Sequence, residues 1–268
     1  MTVERAALDA FEVGSAEFAE WAPLLWDPIG AEAVGITRPR PGERVLDVCC
    51  GTGSSAVPAA RAVGPDGRVD AVDLAPTLLR AGARHAADLP QLRFHHADAT
   101  RWSPGDGLPY DRVQCVFGIF FLPDMDAAAA RLAGLLRPGG TLTAVTWRQG
   151  SLDDVLGPLG RAVTEHTGTP PTRPQAALQA ARLDTGERLA EWLRDLGLAE
   201  VTVHEVAREV PITPELAWKL VVGSGARAAL AGLDAGAVAA VRDRYHELVA
   251  PIAVLRARAL VGVGERRS

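Results

Sequence analysis

Cysteine is scarce in this 268-residue chain, and Cys49, Cys50 and Cys115 are an odd trio without a C-x-x-C spacing. Such a set builds neither a disulfide framework nor a zinc site, so the thiols are expected to be reduced packing groups and no metal is expected. Long apolar runs are missing as well. None approaches the roughly 18 residues of a membrane helix, and the opening "MTVERAALDAFEVG" breaks its short apolar pieces with charges where a secretory leader would be continuous. A soluble, cytoplasmic protein without membrane insertion is the expectation. There is no excess of positive charge: the formal net charge of -5 offers no broad cationic surface for phosphates, which argues against nucleic acid and for a small-molecule partner. No fixed-period repeat or low-complexity tract is present. Aromatics are only 5% of the chain, yet Phe11, Phe18, Trp21 and Trp26 fall within its first 26 residues.

What is present is the composition of a folded globular protein, 48% hydrophobic and 23% charged. From Glu43 onward, short β-branched runs alternate with alanine-rich ones, the order expected of strands joined by crossover helices in a parallel sheet. Strands are expected at 44–49, 68–73, 92–98, 111–118 and 141–147, with helices over 54–63, 75–89 and 124–140, the last closed by Pro138, Gly139 and Gly140. After Arg148 the rhythm gives way to a proline-bearing stretch through Pro174. It resumes with a helix at 186–198 and a strand at 200–206, then helical segments between Pro211 and Pro251 and a last strand from Val254.

The stretch "VLDVCCGTGSS" at 45–55 runs a strand into a glycine turn that opens a helix, the local geometry of a nucleotide cradle. A dinucleotide fingerprint is one reading, with Gly51, Gly53 and Ala56 as its small residues and Asp73 about twenty positions further on as the ribose acid. Against it stands Asp47, which would repel a pyrophosphate placed there and would welcome a ligand with a cationic end.

These residues carry a resemblance. "VLDVCCGTG" resembles motif I of the class I S-adenosylmethionine-dependent methyltransferases, with Asp47, Gly51 and Gly53 in register and Cys49 where the family has glycine. "VDAVDLAP" resembles the second motif, "HHADAT" the third, and "VFGIFFLPD" stands where the fourth lines the cofactor. The resemblance runs from Val45 through Trp147 and more loosely to the terminal strand. It implies an α/β fold, a doubly wound, Rossmann-like seven-stranded sheet whose last strand turns antiparallel between strands five and six. It implies a single class I methyltransferase domain over residues 1–268, with N-terminal lid helices at 11–36 and helical cap insertions at 148–185 and 207–251. The implied activity is methyl transfer from S-adenosylmethionine to an oxygen, nitrogen or carbon nucleophile of a small organic molecule, quinone-like or a natural product. The implied cofactor-binding residues are Asp47, Cys49, Gly51, Gly53, Asp73, Leu74, Asp98, Ala99 and Phe117, with Asp73 on the ribose hydroxyls and Asp98 at the adenine amino group. Phe18, Trp21, Trp26 and Trp147 are the substrate or lid candidates.

Plainer roles stand beside these. Asp47 can brace a loop, Asp73 can cap the following helix, and Asp98 can cap a turn before Thr100. The spacing of Phe18, Trp21, Leu25 and Trp26 fits an amphipathic helix packed on the domain, and a lid reconciles packing with substrate contact. His95 and His96 are neighbours on a strand, so one of them points away from any site. His166 and His246, in the variable cap, are the candidate catalytic bases if one is used, since transfer from an activated sulfonium can proceed by positioning alone. A nicotinamide-dependent oxidoreductase and a methyltransferase fold with a non-methylating role are the rival readings. A homodimer is left open.

Overall fold

The computed structural model describes residues 11–267. The first ten residues of the expected single domain lie outside the described ones. The chain opens with α1 (Ser15–Trp21), continues through a π-helical turn (Ala22–Trp26) and passes into α2 (Asp27–Thr37). Then β1 (Arg44–Val48), α3 (Ala56–Val63), β2 (Arg68–Asp73), α4 (Pro76–His85) and β3 (Leu92–His96) follow in the expected alternation. The second half holds β4 (Tyr110–Val116), α5 (Met125–Gly134) and β5 (Leu136–Trp147), then α6 (Asp153–Thr167), α7 (Gln175–Ala180), α8 (Gly186–Asp195) and β6 (Leu198–Pro211). It ends with α9 (Pro214–Val222), α10 (Ala235–Val249) and β7 (Val254–Arg266).

These strands form a seven-stranded sheet in the order β3-β2-β1-β4-β5-β7-β6. The first five pair in parallel, and β7 runs antiparallel between β5 and β6. The chain reverses its direction across the sheet between β1 and β4, the point at which open α/β sheets leave a crevice at the strand C-termini. Strand β1 is buried from Val45 to Val48, as a central parallel strand must be, and Asp47 is the one charge within that run.

Two expectations are corrected. The helix expected to run to Gly140 ends at Gly134, and the "RPGG" turn lies inside β5. Tyr110 pairs with Leu136 and Arg112 with Thr141, so the extra residues bulge out of the ladder. The proline-bearing stretch after Arg148 contains α6, a 15-residue helix with Pro158 inside it. Its buried face is Val155, Leu159, Ala162 and Val163, an i, i+4, i+7, i+8 stripe that Pro158 masks in the sequence.

The N-terminal helices are fastened over the strand tips. The indole Nε1 of Trp21 donates to the Leu216 carbonyl at 3.0 Å, tying α1 to α9. The Ser54 hydroxyl donates to Asp27 at 2.6 Å, joining the glycine loop to the start of α2. Gly30 makes that approach possible, because a Cβ there would lie 2.4 Å from the Ser54 carbonyl oxygen. No helix among the described residues is long and apolar enough to cross a membrane.

Candidate functional site

A cavity of about 410 Å³ opens at the C-terminal tips of β1, β2, β3 and β4 and extends beneath the N-terminal helices, α6, α7 and the segment after α9. Its floor comes from the strand ends. Gly51, Asp73, Leu74, Asp98, Ala99 and Phe117 all line it, together with Cys49. Gly53 does not. It sits at φ +90° against the Phe94 ring, behind the cavity wall.

Asp73 ends β2 with both carboxylate oxygens engaged by backbone. One accepts from the Gly51 N–H at 2.8 Å and the other from the Ala75 N–H at 2.8 Å. It therefore shapes the glycine loop and the entry to α4 at once. Each oxygen keeps acceptor capacity, since a carboxylate has about four lone-pair sites. Burial pushes its pKa up, against the lowering effect of those backbone bonds. One oxygen of Asp98 is taken by the Thr100 N–H and hydroxyl, at 2.8 and 2.7 Å. Its second oxygen lies 3.8 Å from the Arg101 guanidinium, beyond hydrogen-bond range.

Asp47 stands one layer further in. It is completely buried and does not reach the cavity wall. One of its oxygens accepts from the Ser55 hydroxyl at 2.7 Å and from the Gln114 amide at 2.9 Å, and the other has no partner among the described residues. Burial pushes its pKa up to about 7, with the Ser55 and Gln114 bonds pulling the other way. Ser55 lines the cavity, so Asp47 acts on it through that hydroxyl.

Cys49 answers for the missing motif glycine. It adopts the left-handed conformation with φ 56°, which costs an ordinary residue about 1–2 kcal/mol. Facing it is Gly118, where a Cβ would lie only 2.3 Å from the Cys49 Cβ. The side chain added at one position is accommodated by its absence at the other. Phe117, beside Gly118, is also left-handed at φ 57°, so two residues that line the cavity carry backbone strain, which clusters at ligand sites.

The roof is aromatic. Phe117 stacks on Trp147 at 4.0 Å between centroids and 19° between planes, and Phe18 stacks on Trp26 at 5.6 Å and 12°. Trp26 meets both Phe117 and Trp147 edge-on at 5.8 Å. Phe18, Trp26 and Trp147 thus lie on the cavity as expected. Trp21 does not, because it is spent in the core between α1 and α9.

The two catalytic candidates are displaced from the cavity. His166 is exposed at the end of α6, and His246 lies half-buried on α10 beside Trp218 and Tyr245; neither is on the wall. The helical faces that bury α6 and α10 point these positions away. His95 turns to Asp70 at 2.9 Å, beneath the sheet's buried Tyr110, while His96 is exposed. Sequence reasoning covered Phe11 only within the lid segment 11–36, and Leu152, Leu156, Leu159 and the "PTRP" loop at 171–174 only within the cap segment 148–185, without singling them out; all of them line the cavity. The apolar periodicity of α6 was the available signal for the leucines. No group of three or more His, Cys, Asp or Glu side chains is gathered as a metal site among the described residues.

Comparison with known proteins decides what this cavity holds. A methyltransferase domain model matches residues 45–140, the span from β1 into β5. Aklanonic acid methyltransferase DauC of Streptomyces sp. strain C5 is 31% identical over 209 residues, covering 74% of this chain and 94% of that protein. The chain belongs to the S-adenosylmethionine-dependent methyltransferases. A demethylmenaquinone methyltransferase of Staphylococcus aureus is 33% identical over 113 residues, which are 42% of this chain and 46% of that protein. In fold, the methyltransferase resembles the phosphoethanolamine N-methyltransferase 2 of Haemonchus contortus, solved with S-adenosylhomocysteine, at a TM-score of 0.51 and 18% identity, covering 88% of this chain and 52% of that one. The enzyme is therefore a methyl transferase using S-adenosylmethionine, and the nicotinamide reading is set aside.

The residues at the strand tips fit that cofactor. Asp73 has acceptor capacity for a diol, and Asp47 keeps one oxygen without a partner among the described residues one layer behind the glycine loop.

Proposed function

We propose that the acceptor is a flat, largely apolar aromatic or quinone-like small molecule, methylated at an oxygen, nitrogen or carbon nucleophile. The observation that carries this reading is the aromatic box of Phe18, Trp26, Phe117 and Trp147 over the cavity, since stacked and edge-on rings are shaped to receive another ring. The substrates named for the two curated relatives, aklanonic acid and demethylmenaquinone, support the same class.

In this reading Asp73 accepts the ribose hydroxyls, Asp98 and Ala99 meet the adenine edge, and the Cys49–Gly51 backbone, Leu74 and Phe117 enclose the nucleoside. Ser55, held by Asp47, borders the amino acid end, and Asp47 supplies the negative charge behind it. The chemistry supplied by S-adenosylmethionine when bound is an electrophilic methyl on a cationic sulfur. The chain's own contribution is alignment and exclusion of water. Holding two reactants near attack geometry is worth about 7–11 kcal/mol, and the apolar walls formed by α6 and the aromatic box remove solvent from the nucleophile. Neither a histidine nor a lysine lines the cavity among the described residues, and the reading rests on positioning rather than on an assigned base.

The test is turnover to S-adenosylhomocysteine over a panel of hydroxylated naphthoquinones and anthraquinones beside aliphatic amines and alcohols. Activity on the aromatic members alone is expected. Activity confined to the aliphatic ones would overturn the reading.

A further inference from the structure

Three charged residues line the cavity among the described ones: Asp73, Asp98 and Arg173. The two aspartates belong to the floor. Arg173 alone stands on the cap side, in the "PPTRP" segment between α6 and α7, where Pro171 and Pro174 line the cavity with it. Pro174 biases the Arg173 backbone toward the extended region, which sets where its side chain leaves the loop. Its side chain makes no ion pair and no hydrogen bond among the described residues, although the same chain pairs Arg161, Arg182, Arg188 and Arg244 with nearby carboxylates. Arg173 is exposed, and its five guanidinium donors, without a protein partner among the described residues, stand at the rim of an apolar cavity, where they complement an anion on a ligand that fills it.

We infer that Arg173 is a specificity-determining residue that recognises an anionic group, a carboxylate or an ionised phenol, carried by the acceptor. This inference rests on the aromatic-acceptor reading and narrows it from flat ring systems to acidic ones. Arg173 anchors the end of the acceptor at the cavity mouth, and the aromatic box grips the ring. The acidic chain as a whole repels anions, so a single cation here selects where such a molecule enters.

The experiment uses two probes of one shape, 9,10-anthraquinone-2-carboxylate and its neutral 2-carboxamide, titrated calorimetrically into the full chain saturated with S-adenosylhomocysteine. The wild-type protein should bind the carboxylate about tenfold more tightly than the carboxamide, a preference that shrinks with added salt. Arg173→Ala should bind both at the carboxamide's affinity, Arg173→Lys should keep part of the preference, and both variants should hold S-adenosylhomocysteine as the wild type does. Equal binding of the two probes by the wild type, or an undiminished preference in Arg173→Ala, would overturn the inference while leaving the aromatic reading standing. Binding of neither probe by a protein that still holds S-adenosylhomocysteine would sink that reading and the inference with it.

Discussion

The floor and the roof of the cavity are built on opposite principles. The floor is backbone and carboxylate: Asp73 fastens the Gly51 and Ala75 amides, Asp98 fastens Thr100, and Asp47 fastens Ser55 and Gln114. The roof is side-chain bulk, with aromatic rings at 4.0 to 5.8 Å and leucines from α6. The floor is specified atom by atom and suits a single cofactor. The roof is specified by shape and suits a class of acceptors, because dispersion and burial are less directional than hydrogen bonds.

That division can be broken or sharpened by substitution. The largest effect is expected from Asp47, whose pKa is raised from 3.8 to about 7 by burial. The sign follows from the raised folded value: the folded state holds the proton more tightly, so the stability it contributes is complete below about pH 4 and is lost as pH rises through 7. A shift of about three units corresponds to about 4 kcal/mol at most. Asp47→Asn should flatten that loss, so that chemical denaturation without cofactor shows the variant relatively gaining on the wild type from pH 5 to pH 8. The same variant should bind S-adenosylmethionine less well at pH 8, and an unchanged pH profile of stability would remove Asp47 from the account.

Gly118→Ala comes next. With a Cβ placed 2.3 Å from that of Cys49, it should cost about 1–3 kcal/mol in thermal or denaturant unfolding. Adding Cys49→Gly to it should recover most of the loss, a coupling that a double-mutant cycle measures directly. Additive losses would mean that the two positions do not share one space.

Asp73→Ala should weaken S-adenosylmethionine binding at least about tenfold by calorimetry, through the lost ribose bonds and the loosened glycine loop, and acceptor binding should follow only where the cofactor is bound first. Trp147→Ala is the mirror image and the smallest effect. It should raise the acceptor KM about fivefold to tenfold with cofactor affinity nearly unchanged, since the Trp147 ring is removed while Phe117, its stacking partner at the floor, stays in place. Equal losses of cofactor and acceptor in Trp147→Ala would erase the distinction between the two surfaces.

The floor was legible in the sequence because its signals are local. A β-branched run, an acid at the strand end and a glycine turn sit within a few residues of each other, and β2 begins and ends where the pattern put it, at Arg68 and Asp73. The roof was only half legible. Phe18 and Trp26 announced themselves by crowding, but Trp21, from the same stripe, turned into the core to donate to Leu216. Helical periodicity says which residues share a face and not which neighbour that face will meet. His166 and His246 failed for the same reason, their helices being rotated to bury other stripes. Pro158 hid the bounds of α6 inside the helical cap expected at 148–185, by weakening a local preference that packing of Val155, Leu159, Ala162 and Val163 overrode.

By itself the sequence determined the succession of strands and helices in the first half and the placement of acids at strand ends, because each depends on residues close together along the chain, and its motifs carried the resemblance that implied the cofactor. Tertiary structure alone decided that Asp47 stands behind the wall, that Gly118 makes room for Cys49, and that Arg173 comes to the edge of the cavity. Those outcomes join positions dozens of residues apart, and only the packed sheet and its cap bring such groups within reach of one another.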